Sequence, residues 1–207
     1  MNDIKLNFIN ESDDRNNSEV VIFQKNEVGD FDDLAVAWKV IKNFSKGWNQ
    51  SFLFPNEMII AALDSNGNLV GTPLKAEDGQ LYSANIVANV YQLKHEGKGS
   101  NNSEIQFRNN FERGSVNAEI HRGGKCVCIK YNIIPGQTSA FQFKPKLWIG
   151  VTSQVQEGET MNSAIISEIN TALDLTGIVS ADIIMTGGGQ EPNFTPYQFN
   201  LQNIVYV

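Results

Sequence analysis

The amino-acid sequence predicts an all-β protein, a sandwich of two antiparallel sheets, and three observations carry that reading. Apolar and polar residues alternate through Val116, Ala118 and Ile120, and again through Val127, Ile129, Tyr131 and Ile133. That is the period of a strand with one buried face. Turn residues separate the runs: His121-Arg122-Gly123-Gly124-Lys125 between these two, and Pro135-Gly136 before a third through Phe141, Phe143, Leu147 and Ile149. A Gly-Gly pair tolerates the positive φ of primed hairpin turns, and Pro-Gly marks a sharp bend. Short strand-like runs then recur along the chain at roughly ten-residue spacing, the pattern of a sandwich. With 207 residues, 41% of them apolar, and no Pro/Ser-rich linker or charge run, residues 1–207 read as a single domain.

Taken in order, Ile4, Leu6 and Phe8 form an alternating strand, and Val20 to Phe23 an apolar one expected to pair with it as a hairpin. Leu34 to Ile41 fits both periods; Trp38, Val36, Val40 and Ile41 favour a strand. Phe44 to Pro55 reads as a long aromatic loop. Met58 to Leu63 is a strand entering Asp64-Ser65-Asn66-Gly67-Asn68, where Asn-Gly is a strong hairpin signal. Leu81 to Leu93 reads as one alternating run, His95 to Asn102 as a loop, and Ile105 with Phe107 as a short strand. Thr160 to Leu175 is open between helix and strand: Met161, Ile165, Ile169, Ala172 and Leu173 make a helical stripe, which leaves one short helix near 160–173 in prospect. Ala181 to Met185 is a strand, Gly187-Gly188-Gly189 a flexible connection, and Tyr197 to Val207 a closing strand.

Charge excludes one class of partner. A formal net charge of −7, with Lys and Arg scattered singly, offers no basic footprint for nucleic acid. No run approaches the ~20 apolar residues of a spanning helix. Met1 to Lys5 lacks the basic and apolar regions of a signal peptide, so the expectation is cytoplasmic synthesis, with leaderless release as the route to a cell surface. Charged residues are only 19%, replaced by uncharged polar ones. Cys126 and Cys128, two apart on one strand, are expected on one face and too far apart to bridge. They read as buried small apolar residues, with half a metal site as the alternative.

Candidate chemistry is sparse. In the aromatic loop, Trp48 with Phe44, Lys46, Asn49 and Phe52 makes a candidate ligand-binding set, since an indole offers an apolar ring and an N–H that wants a partner. Folding of these aromatics back over the sandwich is the competing reading. Asp30, Asp32, Asp33 and Asp64 are candidate Ca²⁺ ligands, without EF-hand spacing. Two histidines leave little for catalysis: no Gly-x-Ser-x-Gly elbow is present. A mononuclear iron arrangement would need His95 and His121 to converge with Glu119 or Glu96. No catalytic residues are assigned.

Three stretches, Ser18 to Asn26 (SEVVIFQKN), Ala35 to Ile41 (AVAWKVI) and Ser180 to Gly188 (SADIIMTGG), resemble a little-characterised group of microbial β-rich proteins of this length. Some of these carry an automatic label of aromatic ring-opening dioxygenase. The resemblance implies no active-site residue, because its motifs are strand and turn segments. The functional expectation is a non-catalytic module that recognises a glycan or a lipid headgroup at a cell surface, lectin-like or cytolysin-like. A self-associating, inclusion-forming homo-oligomer and a metal-dependent, dioxygenase-like enzyme are the alternatives.

Overall fold

The computed structural model describes residues 3–14, 18–28, 33–153, 155–162, 165–166, 169, 171–190 and 192–207, with backbone alone at 33 and 34. The described strands are β1 (Ile4–Asn10), β2 (Glu19–Phe23), β3 (Asp33–Ala35), β4 (Lys39–Ile41), β5 (Asn49–Phe54), β6 (Met58–Asp64), β7 (Leu74–Ala76), β8 (Gln80–Val87) and β9 (Val90–Lys98). They continue with β10 (Ile105–Asn109), β11 (Val116–Arg122), β12 (Lys125–Ile133), β13 (Thr138–Phe141), β14 (Lys146–Thr152), β15 (Thr171–Asp174), β16 (Ile178–Gly188) and β17 (Thr195–Tyr206). The class is all-β and sandwich-like. The strands, however, form four sheets rather than two, and two pairings are parallel.

Packing divides the chain into two compact units. Unit 1 comprises Met1–Gln24, Val36–Asn56 and Pro145–Val207, with sheets β17-β16-β1-β5 and β15-β14-β2-β4. Unit 2 comprises Lys25–Ala35 and Glu57–Lys144, with sheets β9-β8-β10-β13 and β3-β12-β11-β6-β7. Strands β1 and β11 bury alternate residues: Ile4, Leu6 and Phe8 point into the core of unit 1, and Val116, Ala118 and Ile120 into that of unit 2.

The two units share one topology. Unit 1 is read from β14 to β17 and then, across the termini, through β1, β2, β4 and β5. Unit 2 is read from β6 to β13. Every pairing then corresponds in partner and direction, including the parallel ones, β1 with β16 and β10 with β8. The outer hairpins β16–β17 and β8–β9, the β14–β15 and β6–β7 pairs, and β2–β4 and β11–β12 follow the same rule. The units are circular permutants of one eight-stranded plan, to which unit 2 adds β3.

The correspondence reaches single residues. β1 ends in Phe8-Ile9-Asn10 and β10 in Phe107-Arg108-Asn109, with both Phe and both Asn fully buried. The Asn10 N–H donates to the Trp48 carbonyl (2.9 Å), and the Gly47 N–H to the Asn10 carbonyl (2.6 Å). In unit 2 the Asn109 N–H donates to the Gln137 carbonyl (3.1 Å), and the Gly136 N–H to the Asn109 carbonyl (2.8 Å). Gly47 and Gly136 carry φ of 82° and 80°, the third-position requirement of a type II turn. The aromatic loop is therefore a turn, Ser45 to Trp48, followed by strand β5, and it is the counterpart of the Pro135-Gly136 turn before β13.

Several local expectations change with pairing. β1 and β2 lie in different sheets, not in one hairpin. The run Leu81 to Leu93 is two strands, because Ala88 and Asn89 both adopt positive φ (50° and 64°) and turn the chain. Asn is at ease there; Ala is not, and so gives no sequence signal. β9 extends to Lys98 across part of the expected 95–102 loop. Gly187 and Gly188 end β16 instead of forming a flexible connection; a Cβ on Gly187 would strike the Pro196 carbonyl, and one on Gly188 would meet Tyr197 and Asp14 at 3.0 Å. Between 160 and 175, Ile165 and Ile166 form a helical turn, with Ile165 N–H donating to Asn162 Oδ1, and strand β15 follows. Met161 and Ile169 are buried, and 163–164, 167–168 and 170 lie outside the described residues.

Candidate functional site

The predicted binding set divides. Phe44 is buried and stacks edge-on against Phe8 (5.6 Å), occupying the place that Ile133 fills in unit 2. It belongs to the core, and this corrects its assignment as a ligand contact. Trp48 is half-buried, Lys46 is exposed and ion-paired with Asp13 (2.8 Å), and Asn49 is exposed at the start of β5. Phe52 is half-buried, tilted against Trp38 at 6.1 Å, with Lys39 Nζ 5.2 Å from its ring centre. Thus only Asn49, Lys46, Phe52 and part of Trp48 reach the surface.

A feature not singled out by the sequence lies on the other face of β5 from Phe52. On the outer face of the β17-β16-β1-β5 sheet, Ser51, Asn7, Asp182 and Asn203 form a continuous polar row across four strands. Ser51 Oγ donates to Asn7 Oδ1 (3.0 Å), Asn7 Nδ2 to Asp182 Oδ1 (3.1 Å), and Asn203 Nδ2 to Asp182 Oδ2 (2.6 Å). Cross-strand register places the first three side by side, Asn7 opposite both Ser51 and Asp182. Asn203 joins them by an irregularity: the β16–β17 register shifts beside Asp182, and Asn203 takes φ of 49°. Bulges re-aim side chains in this way and are common beside functional sites. The row floors an open groove of about 390 Å³, flanked by Lys5 and Leu53, the latter 53% exposed.

The same positions in unit 2 are closed. Leu81, Gln106 and Ala140 take the places of Asp182, Asn7 and Ser51, by register about β10. The Gln106 amide is tied down locally: its Oε1 accepts from the Ser100 N–H (2.9 Å), and its Nε2 donates to Ser100 Oγ (2.8 Å) and Glu104 Oε2 (2.9 Å). The polar row in unit 1 is therefore not something the shared plan demands.

Unit 2 carries its own cluster, on the β11–β12 hairpin. Glu119 and His121, two apart on β11, share its outer face, and His121 Nε2 lies 2.9 Å from Glu119 Oε2. The Gly123-Gly124 turn, with φ of 57° and 76°, folds β12 back as expected. A bulge then matters: Ile120 stands opposite Cys128, but His121 stands opposite Cys126. Val127 is the extra residue, so Cys128 turns to the core while Cys126 joins His121 outside. This corrects the expectation that both thiols share a face. Side-chain donors of Glu119, His121 and Cys126 lie within 4.8 Å of one another, all half-buried. Burial, with Glu119 adding to it, pushes the Cys126 thiol up to about 12. Behind the cluster, inward-facing Arg122 is buried, its guanidinium lowered to about 10 by burial and supported by Asp78.

The remaining candidates separate. His95 is on β9 in the other sheet, bonded to Gln80 Oε1 (2.8 Å) and tilted over Tyr82 (5.2 Å). The described metal-type cluster includes neither His95 nor Glu96. Asp64 is engaged in its turn, accepting from the Asn66 and Asn68 N–H groups (2.9 Å each), and the Asn68 N–H is the main cause of its lowered pKa. Asp30, Asp32 and the Asp33 carboxylate lie outside the described residues. Among the described residues, no helix is long and apolar enough to cross a membrane.

Set against protein-family models, curated proteins and solved structures, the chain matches none.

Proposed function

We propose that the protein is a non-catalytic recognition module whose binding face is the outer surface of the β17-β16-β1-β5 sheet, and that it takes a glycan. One observation carries this reading: the Ser51–Asn7–Asp182–Asn203 row on the floor of an open groove. A carboxylate, two amides and a hydroxyl in line present donors and acceptors in the alternation that neighbouring sugar hydroxyls match. Asp182 supplies the charge-assisted bonds, which are the strong ones. Leu53, on the same face of β5 as Ser51, flanks them with apolar surface for the carbon face of a ring.

A glycan panel titrated against the intact protein tests it. Asp182→Ala and Asn7→Ala each weaken binding roughly tenfold or more, the loss expected on deleting hydrogen bonds to a charged group. Absence of binding across the panel, or unchanged binding by Asp182→Ala, defeats the proposal. Binding to phosphatidylcholine vesicles without any glycan binding moves the assignment to a lipid headgroup.

A second reading, self-association, rests on β17. This edge strand spans 12 residues without a charge, and Val205 and Tyr206 are exposed along it. Such an edge is a template for pairing with another chain. Sedimentation that shows oligomers dispersed by Val205→Lys supports it; a monomer at every concentration removes it.

A further inference from the structure

We propose that Glu119, His121 and Cys126 form a binding site for a transition-metal dication of the zinc class, at the turn end of the β11–β12 hairpin. The site lies in unit 2 and does not depend on the glycan reading. Its donors are His121 Nε2, Glu119 Oε2 and Cys126 Sγ. The first two stand 2.9 Å apart, and all three lie within 4.8 Å. Donors that bind one zinc at about 2.0–2.3 Å in tetrahedral geometry stand roughly 3–4 Å from each other, so side-chain adjustment alone closes the set.

Three devices of the fold place these donors. Strand alternation puts Glu119 and His121 on one face, the Gly123-Gly124 turn brings β12 alongside, and the bulge at Val127 turns Cys126 towards His121. Without that extra residue, His121 would face Val127. The bulge turns Cys126 and Cys128 to opposite faces, so Cys126 alone joins His121. The donor set also decides the ion. One nitrogen, one sulfur and one carboxylate oxygen suit zinc and its neighbours, whereas Ca²⁺ and Mg²⁺ call for oxygen alone.

Three protein ligands leave one tetrahedral position free, the arrangement of open rather than closed zinc sites. A cavity of about 210 Å³ borders Glu119 and His121, walled by Ile59, Ala61, Leu69 and Pro73. It holds room for water or a small donor in the fourth position.

Chelator-stripped, reduced protein titrated with Co²⁺ and then Zn²⁺ tests the site. The expected result is one Co²⁺ per chain, with a thiolate-to-cobalt charge-transfer band that Zn²⁺ abolishes. Cys126→Ser removes the band, and His121→Ala and Glu119→Gln each weaken Zn²⁺ roughly tenfold or more. Cys128→Ser and His95→Ala leave both unchanged. Absence of a thiolate band, or a band that survives Cys126→Ser, overturns the proposal. Should Cys126→Ser fail to fold by circular dichroism, the unaltered protein decides: Zn²⁺ slows alkylation of Cys126 if the site exists, and an unchanged rate refutes it.

Discussion

Unit 1 and unit 2 follow one eight-stranded plan, and what they share differs in kind from what they do not. Shared are Phe8 and Phe107, Asn10 and Asn109, Gly47 and Gly136. Each serves the backbone or the core: the Phe rings fill the interior, the Asn residues end a central strand, the Gly residues take the left-handed turn position. Not shared are the chemically loaded residues. Unit 1 has Trp48 where unit 2 has Gln137, and Asn7 and Asp182 where unit 2 has Gln106 and Leu81. Conversely, unit 2 closes β11–β12 with two glycines and so juxtaposes His121 with Cys126. In unit 1 the corresponding strands β2 and β4 pair through Val20, Val21, Val40 and Ile41, and the chain between them includes the Lys25–Ala35 stretch of unit 2. One plan thus separates residues that the fold requires from residues that it merely tolerates, and the candidate sites consist of the second kind.

That division is open to attack, beginning with the largest effect. Phe8→Ala and Phe107→Ala should each cost about 3–5 kcal/mol, as expected for a fully buried ring, in urea unfolding. If one is nearly silent, the two cores are not equivalent. Asn109→Ala should cost about 2–3 kcal/mol. Its Nδ2 donates to the Gly114 and Ile133 carbonyls (3.0 and 2.8 Å), and its Oδ1 accepts from the Phe111 N–H (2.9 Å). Asn10→Ala should cost less, about 1 kcal/mol. Its Oδ1 accepts from the Ser12 N–H and Oγ (2.9 and 2.6 Å), but its buried Nδ2 has no partner among the described residues. Equal losses would show that the unpartnered amide is not a liability.

Smaller effects sharpen the contrast. Gly47→Ala and Gly136→Ala should each lose about 1 kcal/mol from positive φ alone, because among the described residues none beyond the chain neighbours comes within 4 Å of either added Cβ. Trp48→Gln puts the residue of unit 2 into unit 1; it should change stability by less than about 1 kcal/mol, since only its backbone serves the turn. A much larger loss would make Trp48 core. Least of all, Asp64→Asn should flatten the acid limb of a pH–stability curve. The lowered carboxylate adds stability that is present above its ordinary pKa and lost as pH falls through the lowered one. An unchanged acid limb would show that the turn does not use the charge.

Legibility in the sequence follows the range of the interaction. The Gly123-Gly124 and Pro135-Gly136 turns are written locally, in residues whose φ preference is their own. The β8–β9 turn at Ala88-Asn89 is not, because Ala hides it. Glu119 and His121 could be placed on one face from their spacing, but Cys126 could not be added, since the bulge arises only when two strands pair. The polar row draws on β1, β5, β16 and β17, and Asn7 lies 175 positions from Asp182. No window of sequence contains it. Repetition was hidden for another reason: the repeat is cut by the termini, so equivalent strands run out of order, and the common residues are a sparse Phe-x-Asn and a single turn Gly.

Strand content, the turns made by glycine, and the net negative charge were determined by the sequence, because period-two burial, φ preference and charge are properties of residues and near neighbours. Which strands pair, which sheet each joins, and which polar groups meet were decided only in the tertiary structure. Those outcomes depend on backbone hydrogen bonds between segments that the chain order holds far apart, and on burial that exists only once both sheets of a unit have formed.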